Sequence, residues 1–116
     1  MRAEESSKES IMQDGKYCFL CGRNGNGDPL DKHHCLHGPY RKKADKLGLW
    51  VWLCHDRCHE TGPYAVHNNG ETDLYLKQQA QKACMRRYGW TTIKFRKEFG
   101  KNYLDIEKIM EEKTNA

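Results

Sequence analysis

The residues of this chain that could do chemistry are six cysteines and six histidines, and several of them are paired. Cys18 and Cys21 form a C-x-x-C pair followed by Gly22, and Cys54 and Cys58 form a second pair with three residues between them. Thiolates at these spacings bind one tetrahedral ion, and a glycine lets the backbone turn tightly beneath it. The two pairs therefore predict a structural Zn²⁺ site with four cysteine ligands.

Histidines are concentrated in the stretch DKHHCLHG, residues 31–38. His33 and His34 stand side by side there, and His59 immediately follows a predicted zinc ligand. On a short helix His59 points about 100° away from that ligand, in a direction that can face a neighbouring strand. A second metal ion between His33 and His59 is therefore expected, with positions left open for substrate and water.

The remaining cysteines and histidines have plainer interpretations. Cys35 and Cys84 are expected to be small core residues. One alternative stays open: Cys35 or His33, which share a face of a strand, could replace a cysteine in the zinc shell. His37 precedes Gly-Pro and is interpreted as a turn residue, and His55 as a solvated one.

Composition limits the class of protein. A chain of 116 residues, with 37% hydrophobic and 31% charged residues, can build one small domain that gains from a metal clamp. No apolar run approaches the roughly 20 residues that span a bilayer, and the segment MRAEESSKES is no signal peptide. We expect a soluble cytoplasmic protein with reduced thiols, where close cysteine pairs favour metal over disulfide.

Hydrophobic patterning predicts one domain over residues 16–103, with a flexible arm at 1–15 and a C-terminal helix or tail at 104–116. The stretches LDKHHCL and LGLWVWLC are predicted strands that pair as an antiparallel hairpin, followed by a helical turn in HDRCHET. A long helix is expected to be capped by Thr72, and another, capped by Thr91 or Thr92 and ended by Gly100, to run through Phe99. The stripe expected to be buried on the long helix is Leu76, Ala80, Ala83 and Tyr88, or alternatively Leu74, Gln78, Gln81 and Met85.

These motifs together resemble a known family. HH on a hairpin strand, LWVWLC, CH on a helix and an upstream CxxCG are similar to the HNH endonucleases, the ββα-metal or His-Me finger nucleases. The span 17–69 resembles small phage and prophage members in particular. The resemblance implies an α+β fold: a zinc-stabilised treble-clef/ββα-metal core of hairpin and helix, followed by C-terminal helices.

The resemblance also implies roles for three histidines. His33 would ligate the catalytic divalent ion, His59 would be the second ligand, and His34 would be the general base that activates water. Imidazole suits that task because its ordinary pKa lies near neutrality. The implied reaction is hydrolysis of DNA phosphodiester bonds, with nicking as the first product. The implied ion is Mg²⁺ or Mn²⁺, with Ni²⁺ or Zn²⁺ as alternatives that imidazole tolerates.

Two positions depart from the family pattern, and one geometric condition must hold. Leu49 stands where the family usually has an asparagine, and Pro63 stands where some relatives have a further ligand. His67, with Asn69 as an alternative, is the expected replacement. Neighbouring residues on a strand point to opposite faces, so the strand must end or twist at His33 and His34 if both serve one site.

Basic residues favour DNA as the partner, bound mostly through its phosphate backbone. The net charge is +4, and two basic clusters flank the predicted site. Arg41 would hold a phosphate oxygen beside the reaction, because its planar fork suits phosphate. No membrane contact is expected. The residues predicted to bind nucleic acid are Arg41, Lys42, Lys43, Lys46, Arg86 and Arg87.

A competing hypothesis is a non-catalytic zinc module that binds DNA or a phage or host protein as an adaptor or inhibitor. Leu49 at the asparagine position supports it. Under either hypothesis a phage packaging protein or a host protein is a conceivable further partner, and the expected location is the cytoplasm of a bacterial host.

Overall fold

A two-stranded antiparallel hairpin carries most of the predicted site residues. The computed structural model describes residues 9–104, so part of the expected N-terminal arm and positions 105–116 of the expected C-terminal segment lie outside the described residues. The described part is a small α+β fold, as predicted. Its elements are β1 (Leu30–His34), a 3₁₀ turn (Gly38–Tyr40), α1 (Arg41–Leu47), β2 (Trp50–Cys54), a π-helical segment (His55–Glu60), α2 (Gly70–Tyr88) and α3 (Thr92–Phe99).

The strand pairing places the histidine pair opposite the tryptophan-rich strand. In the antiparallel register, His33 is opposite Val51 and His34 is opposite Trp50. Side chains alternate along β2, and Val51 and Leu53 on one face are fully buried. On the other face, the rings of Trp50 and Trp52 contact each other with centroids 5.2 Å apart. The predicted hairpin is therefore confirmed.

The connector between the strands is a helix rather than a simple loop. Pro39 lies in the 3₁₀ turn, where its missing N–H costs nothing, and α1 continues directly from that turn. Gly48 ends α1 in the left-handed region, at φ +80°, and its N–H bonds to carbonyls of the last turn. This helix brings polar side chains of residues 41–47 alongside the end of β1.

Residues 9–19 lie along the outer side of β2. The amide of Ile11 donates to the Gly48 carbonyl at 2.9 Å, and the Ser10 hydroxyl donates to the Trp50 carbonyl at 2.6 Å. Further along, the Trp52 amide donates to the Gln13 side chain at 2.7 Å. Residues 9–15 of the expected arm thus supply hydrogen-bond partners to a strand edge.

The C-terminal helices follow the predicted boundaries with one correction. Asn69, not Thr72, caps α2, because its side-chain oxygen accepts from the amides of Glu71 and Thr72 and the helix begins at Gly70. Thr91 caps α3 as predicted by accepting from Lys94 N. The buried stripe of α2 is also shifted, and it consists of Leu76, Ala80, Gln81 and Cys84.

The buried core joins these elements. Gln81 is fully buried within it and satisfied, since it donates to Asn102 at 2.8 Å and accepts from the Tyr103 amide at 2.8 Å. Among residues 9–104, no helix combines the length and apolar character needed to cross a bilayer. Large side chains at the core include Leu36, Leu49, Val51, Leu53, Leu76, Phe95 and Phe99.

Packing of the N-terminal segment on β2 predicts that Gly48→Ala is costly. A Cβ at Gly48 would lie 2.5 Å from the Glu9 carbonyl oxygen and 3.1 Å from Ile11, in addition to the cost of a positive φ. Gly27, at φ +85° with nothing within 4 Å, is the matched control. Gly27→Ala should cost about 1–2 kcal/mol of unfolding free energy, and Gly48→Ala distinctly more, measured by denaturant unfolding. Equal costs would show that residues 9–11 do not pack there.

Candidate metal centres and the histidine cavity

Four cysteines from two distant parts of the chain meet beside the hairpin. The sulfurs of Cys18, Cys21, Cys54 and Cys58 all lie within 4.8 Å of one another, and two of them, those of Cys21 and Cys54, are 3.5 Å apart. Sulfurs bound tetrahedrally to Zn²⁺ at about 2.3 Å are separated by roughly 3.8 Å. The cluster can therefore hold a metal ion such as zinc with little movement.

The first pair is presented by a tight turn. Gly22 donates to the Cys18 carbonyl at 2.8 Å, and Cys18 donates to the Arg23 carbonyl at 2.8 Å. Gly22 adopts φ +84°, a conformation that disfavours other residues. The second pair comes from the last residue of β2 and from the π-helical segment. The turn under the first pair is the one that the glycine predicted.

The acid–base chemistry of the four thiols also suits a cation. Burial raises the pKa of Cys54 to about 12 and also raises that of Cys58. Burial acts in the same direction at Cys21, but hydrogen bonds from the backbone and side chain of Arg23 outweigh it and lower the pKa to about 6. One thiolate thus forms readily, and a divalent ion supplies the charge that lets the buried neighbours ionise.

The alternative zinc shell is not seen among the described residues. Cys35 is fully buried, and its sulfur lies 3.8 Å from the Met12 sulfur rather than in the cysteine cluster. His33 belongs to a separate histidine group. Cys35 and Cys84 are therefore core thiols, as expected, and burial raises the pKa of each.

A second group that could hold metal lies on the β1 side of the fold. Ligand nitrogens of His33, His59 and His67 lie within 4.8 Å of one another. The two Nε2 atoms of His59 and His67 are 3.1 Å apart, close to the roughly 3.3 Å between nitrogens on one tetrahedral ion at about 2.0–2.1 Å. The structure thus brings together the three histidines predicted to be ligands of the catalytic ion.

His33 is the most unusual member of this group. Its side chain is 4% exposed, and its Nε2 is a buried polar atom that finds no hydrogen-bond partner within residues 9–104. Burial first, and then the neighbouring His59, His37 and His67, lower its pKa to about 3. The imidazole is therefore neutral, and a buried polar nitrogen without a partner is costly unless an ion or a water meets it.

Two backbone hydrogen bonds place His67 against His59. The amide of Val66 donates to the Cys58 carbonyl at 2.9 Å, and that of His67 donates to the His59 carbonyl at 3.2 Å. These two bonds fold the loop back onto the π-helical segment and place His67 directly against His59. Pro63, one turn after His59, is exposed.

Asp31 supports His59 from behind, and sequence reasoning missed it. Its Oδ2 lies 2.9 Å from His59 Nδ1 and 2.7 Å from His55 Nδ1. Burial opposes ionisation of Asp31, but the bonds from both histidines outweigh it and lower the carboxyl pKa. A carboxylate on Nδ1 leaves Nε2 to face an ion, the usual support of a metal-binding histidine. The available signal was spacing, because Asp31 and His33 are two apart on one strand face.

His34 points to the other side of β1, towards α1. Its Nε2 lies 2.9 Å from Asp45 Oδ1, and its Nδ1 accepts a hydrogen bond of 3.3 Å from Arg41 Nε. Since Nδ1 accepts, the proton of the neutral ring is on Nε2 and is donated to Asp45. Burial lowers the pKa of His34, and Asp45 opposes that shift without reversing it.

One cavity of about 360 Å³ nevertheless borders both histidines of the pair. β1 ends at His34, so its side chain reaches the rim that His33 approaches from the opposite face. The geometric condition set by strand alternation is met by the end of the strand. The lining residues are Lys32, His33, His34, His37, Gly38, Arg41, His59 and His67.

The basic residues predicted to contact nucleic acid are not equivalent. Arg41 lines the cavity, and Lys42 and Lys46 are exposed on α1. Lys43 is occupied, since its amine lies 2.9 Å from the Glu98 carboxylate and 2.9 Å from the Glu98 carbonyl, which joins α1 to α3. Arg86 borders a different depression, beside the N-terminal segment, and Arg87 is exposed on α2.

Leu49 is fully buried in the core, so it occupies the expected asparagine position as a packing residue. Comparison of the chain with protein-family models, with curated proteins and with solved structures gives no match.

The cysteine cluster predicts an inversion of the usual relation between burial and cost. Cys21 is exposed and Cys84 is fully buried, so packing alone makes Cys84→Ala the worse substitution, at a cost on the order of 1 kcal/mol. With an ion in the cluster, Cys21→Ala should lose zinc and much of the cooperative thermal transition, while Cys84→Ala keeps both. Zinc content and melting temperature measure this, and the opposite order would exclude a structural ion.

Proposed function

We propose that this protein is a metal-dependent endonuclease of the HNH type that hydrolyses phosphodiester bonds of DNA. The observation that carries the proposal is the buried His33, whose Nε2 has no partner in the described structure, converging with His59 and His67 at the cavity that His34 also lines. Three imidazoles with ligand nitrogens within 4.8 Å of one another suit a divalent ion, and the four-cysteine cluster suits the structural zinc of a treble-clef core.

The donor set also bears on which ion would act. Three imidazoles suit Mn²⁺, Ni²⁺ and Zn²⁺ better than Mg²⁺, which prefers oxygen ligands and is favoured by its abundance in cells. When bound, the ion would polarise the scissile phosphate and stabilise charge on the departing oxygen. His33, His59 and His67 would hold it, and Asp31 would keep His59 in the tautomer that binds.

His34 would take the proton from the attacking water at Nδ1. That nitrogen already carries the lone pair, because the ring proton is on Nε2, which donates a hydrogen bond to Asp45. In the free protein Arg41 donates to the same Nδ1. A phosphate in the cavity would attract the guanidinium of Arg41, which frees His34 Nδ1 for water and gives Arg41 its phosphate contact.

The charge around the cavity suits a polyanion without choosing its sequence. Arg41 and Lys32 line the cavity, and Lys42 and Lys46 extend the positive charge along α1. Contacts of this kind give affinity for phosphate and depend on salt. Because one proposed site makes one cut, a single-strand nick is the expected first product.

The alternative, a zinc module without catalysis that binds DNA or a phage or host protein, rests on Leu49. The core position of Leu49 weakens that support, because a packing leucine can coexist with a complete set of histidines at the cavity. The activity test below separates the two functions.

The proposed base predicts that His34→Ala abolishes nicking. With supercoiled plasmid and Mn²⁺ or Mg²⁺, we expect His34→Ala to slow nicking by about 10²–10⁴-fold, the usual contribution of a general base. His55→Ala is the control, since His55 is an exposed histidine outside the cavity, and it should stay within about threefold of the unmodified chain. Absence of nicking by the unmodified chain with any divalent ion would favour the zinc module.

The hydrogen bond to Asp45 predicts a loss in turnover rather than in binding. Asp45→Ala should lower kcat by at least about tenfold with little change in KM, because His34 loses the partner that fixes its tautomer. Asp45→Asn retains an acceptor oxygen for Nε2 and should recover part of the rate. A change confined to KM, or an unchanged kcat in Asp45→Ala, would show that Asp45 does not position His34.

A further inference from the structure

A second set of potential ligands adjoins the three histidines and includes residues that the proposed mechanism does not use. Ligand atoms of His33, His37 and Asp73 lie within 4.8 Å of one another. The rings of His33 and His37 have centroids 5.5 Å apart, compared with 5.2 Å for His33 and His59. His33 therefore belongs to two groups of potential ligands.

We propose that His33, His37 and Asp73 form a second position for a divalent ion, and that His33 is shared between it and the three-histidine position. The inference goes beyond the proposed endonuclease and does not depend on it, since it concerns metal binding alone. Because a neutral imidazole has one free lone pair, His33 can bind one ion, so the two positions are alternatives and the cavity holds one ion at a time.

The carboxylate is built to stay charged and in place. Asp73 Oδ1 lies 3.0 Å from His37 Nε2, and its Oδ2 lies 2.7 Å from Lys77 Nζ, one turn further along α2. Burial opposes ionisation of Asp73, but the bonds from His37 and Lys77 outweigh it and lower the pKa to about 2. Lys77 can hold Oδ2 while Oδ1 turns to an ion, in the way that outer partners orient ligating carboxylates.

An ion would replace the proton that His37 and Asp73 now share. His37 would change from donor to ligand, and the ligand atoms would draw together by roughly 1 Å to reach ordinary bond lengths. His37 is an exposed residue at the cavity rim, so its ring can make this adjustment. His33 gives up no hydrogen bond at Nε2, because that buried atom has no partner in the described structure.

The two positions differ in the ions they suit. Three imidazole nitrogens favour Ni²⁺ and Zn²⁺, whereas two imidazoles and a carboxylate with open sites suit Mn²⁺ and Fe²⁺. Loss of the three-histidine position should therefore weaken the binding of Mn²⁺ less than that of Ni²⁺. His33 is the one ligand whose loss removes both positions.

Titration with Mn²⁺ alone, followed by the paramagnetic signal of the free ion, tests the proposal on the full chain carrying its zinc. The unmodified chain and the His59→Ala/His67→Ala double variant should each bind one Mn²⁺, with dissociation constants within about tenfold. Adding Asp73→Asn to the double variant should weaken Mn²⁺ binding by at least tenfold. Adding Asp45→Asn instead, a matched carboxylate that is bonded to another histidine of the cavity but lies outside the set, should not.

Each outcome decides the matter. A double variant that keeps its thermal transition but binds no Mn²⁺, or binding that is indifferent to Asp73→Asn, would overturn the second position. Ni²⁺ titration of the same variants should show the larger loss in the double variant. Nicking is measured separately, so an unmodified chain that nicks while its double variant binds no Mn²⁺ refutes this position alone. Mn²⁺ bound as described without nicking refutes only the endonuclease.

Discussion

The four-cysteine cluster is the constraint on which the rest of the described fold depends. It ties the turn at Cys18 and Cys21, which precedes β1, to the end of β2 and the segment after it. A chain of this size has little apolar surface to hold such distant parts together, and an ion at the four thiolates would substitute for a larger core. Because His59 follows Cys58 directly, fixing the cysteine also fixes where the histidine points.

The histidine cavity carries a cost that the cysteine cluster helps the fold to bear. His33 is buried with an unpartnered nitrogen, and its neighbours are further imidazoles that oppose its protonation. Such a group destabilises the fold, because a buried nitrogen without a hydrogen-bond partner has lost its contact with water. Strained or unsatisfied groups persist where the surrounding structure holds them firmly, and they gather at sites that bind ligands. The fit of this site to a divalent ion is therefore stronger than the histidine count alone would make it.

Local patterns predicted the elements and the ligand groups, because each depends on nearby residues. Alternation in LGLWVWLC predicted β2, the cysteine spacings predicted the cluster, and Thr91 and Gly100 predicted the limits of α3. The cap of α2 was placed wrongly at Thr72, since Asn69 is an equally good capping type and only the backbone chooses between them. Such choices are local, and they shift a boundary without changing the fold.

Asp45 and Asp73 could not be predicted in this way, because each meets its histidine only through tertiary structure. Asp45 lies within the cluster RKKADK, which sequence reasoning treated as a source of positive charge. In the fold, α1 places the Asp45 carboxylate against His34. One of the lysines, Lys43, forms an ion pair with Glu98. Net charge describes the partner that a surface attracts, but it does not identify which charged group does chemistry.

Strand alternation points His33 and His34 to opposite faces of β1 and so gives the two side chains different environments. On one face of β1, Asp31 and His33 lie towards His59, where the three imidazoles of the proposed ion site come together. On the other face, Lys32 and His34 meet Asp45, where the ring is oriented by a carboxylate. A base on the ion's own side would become a ligand and lose its free lone pair. Because His33 and His34 lie on opposite faces at the end of one strand, the proposed metal ligand and the proposed base are kept apart. A single cavity still borders both side chains.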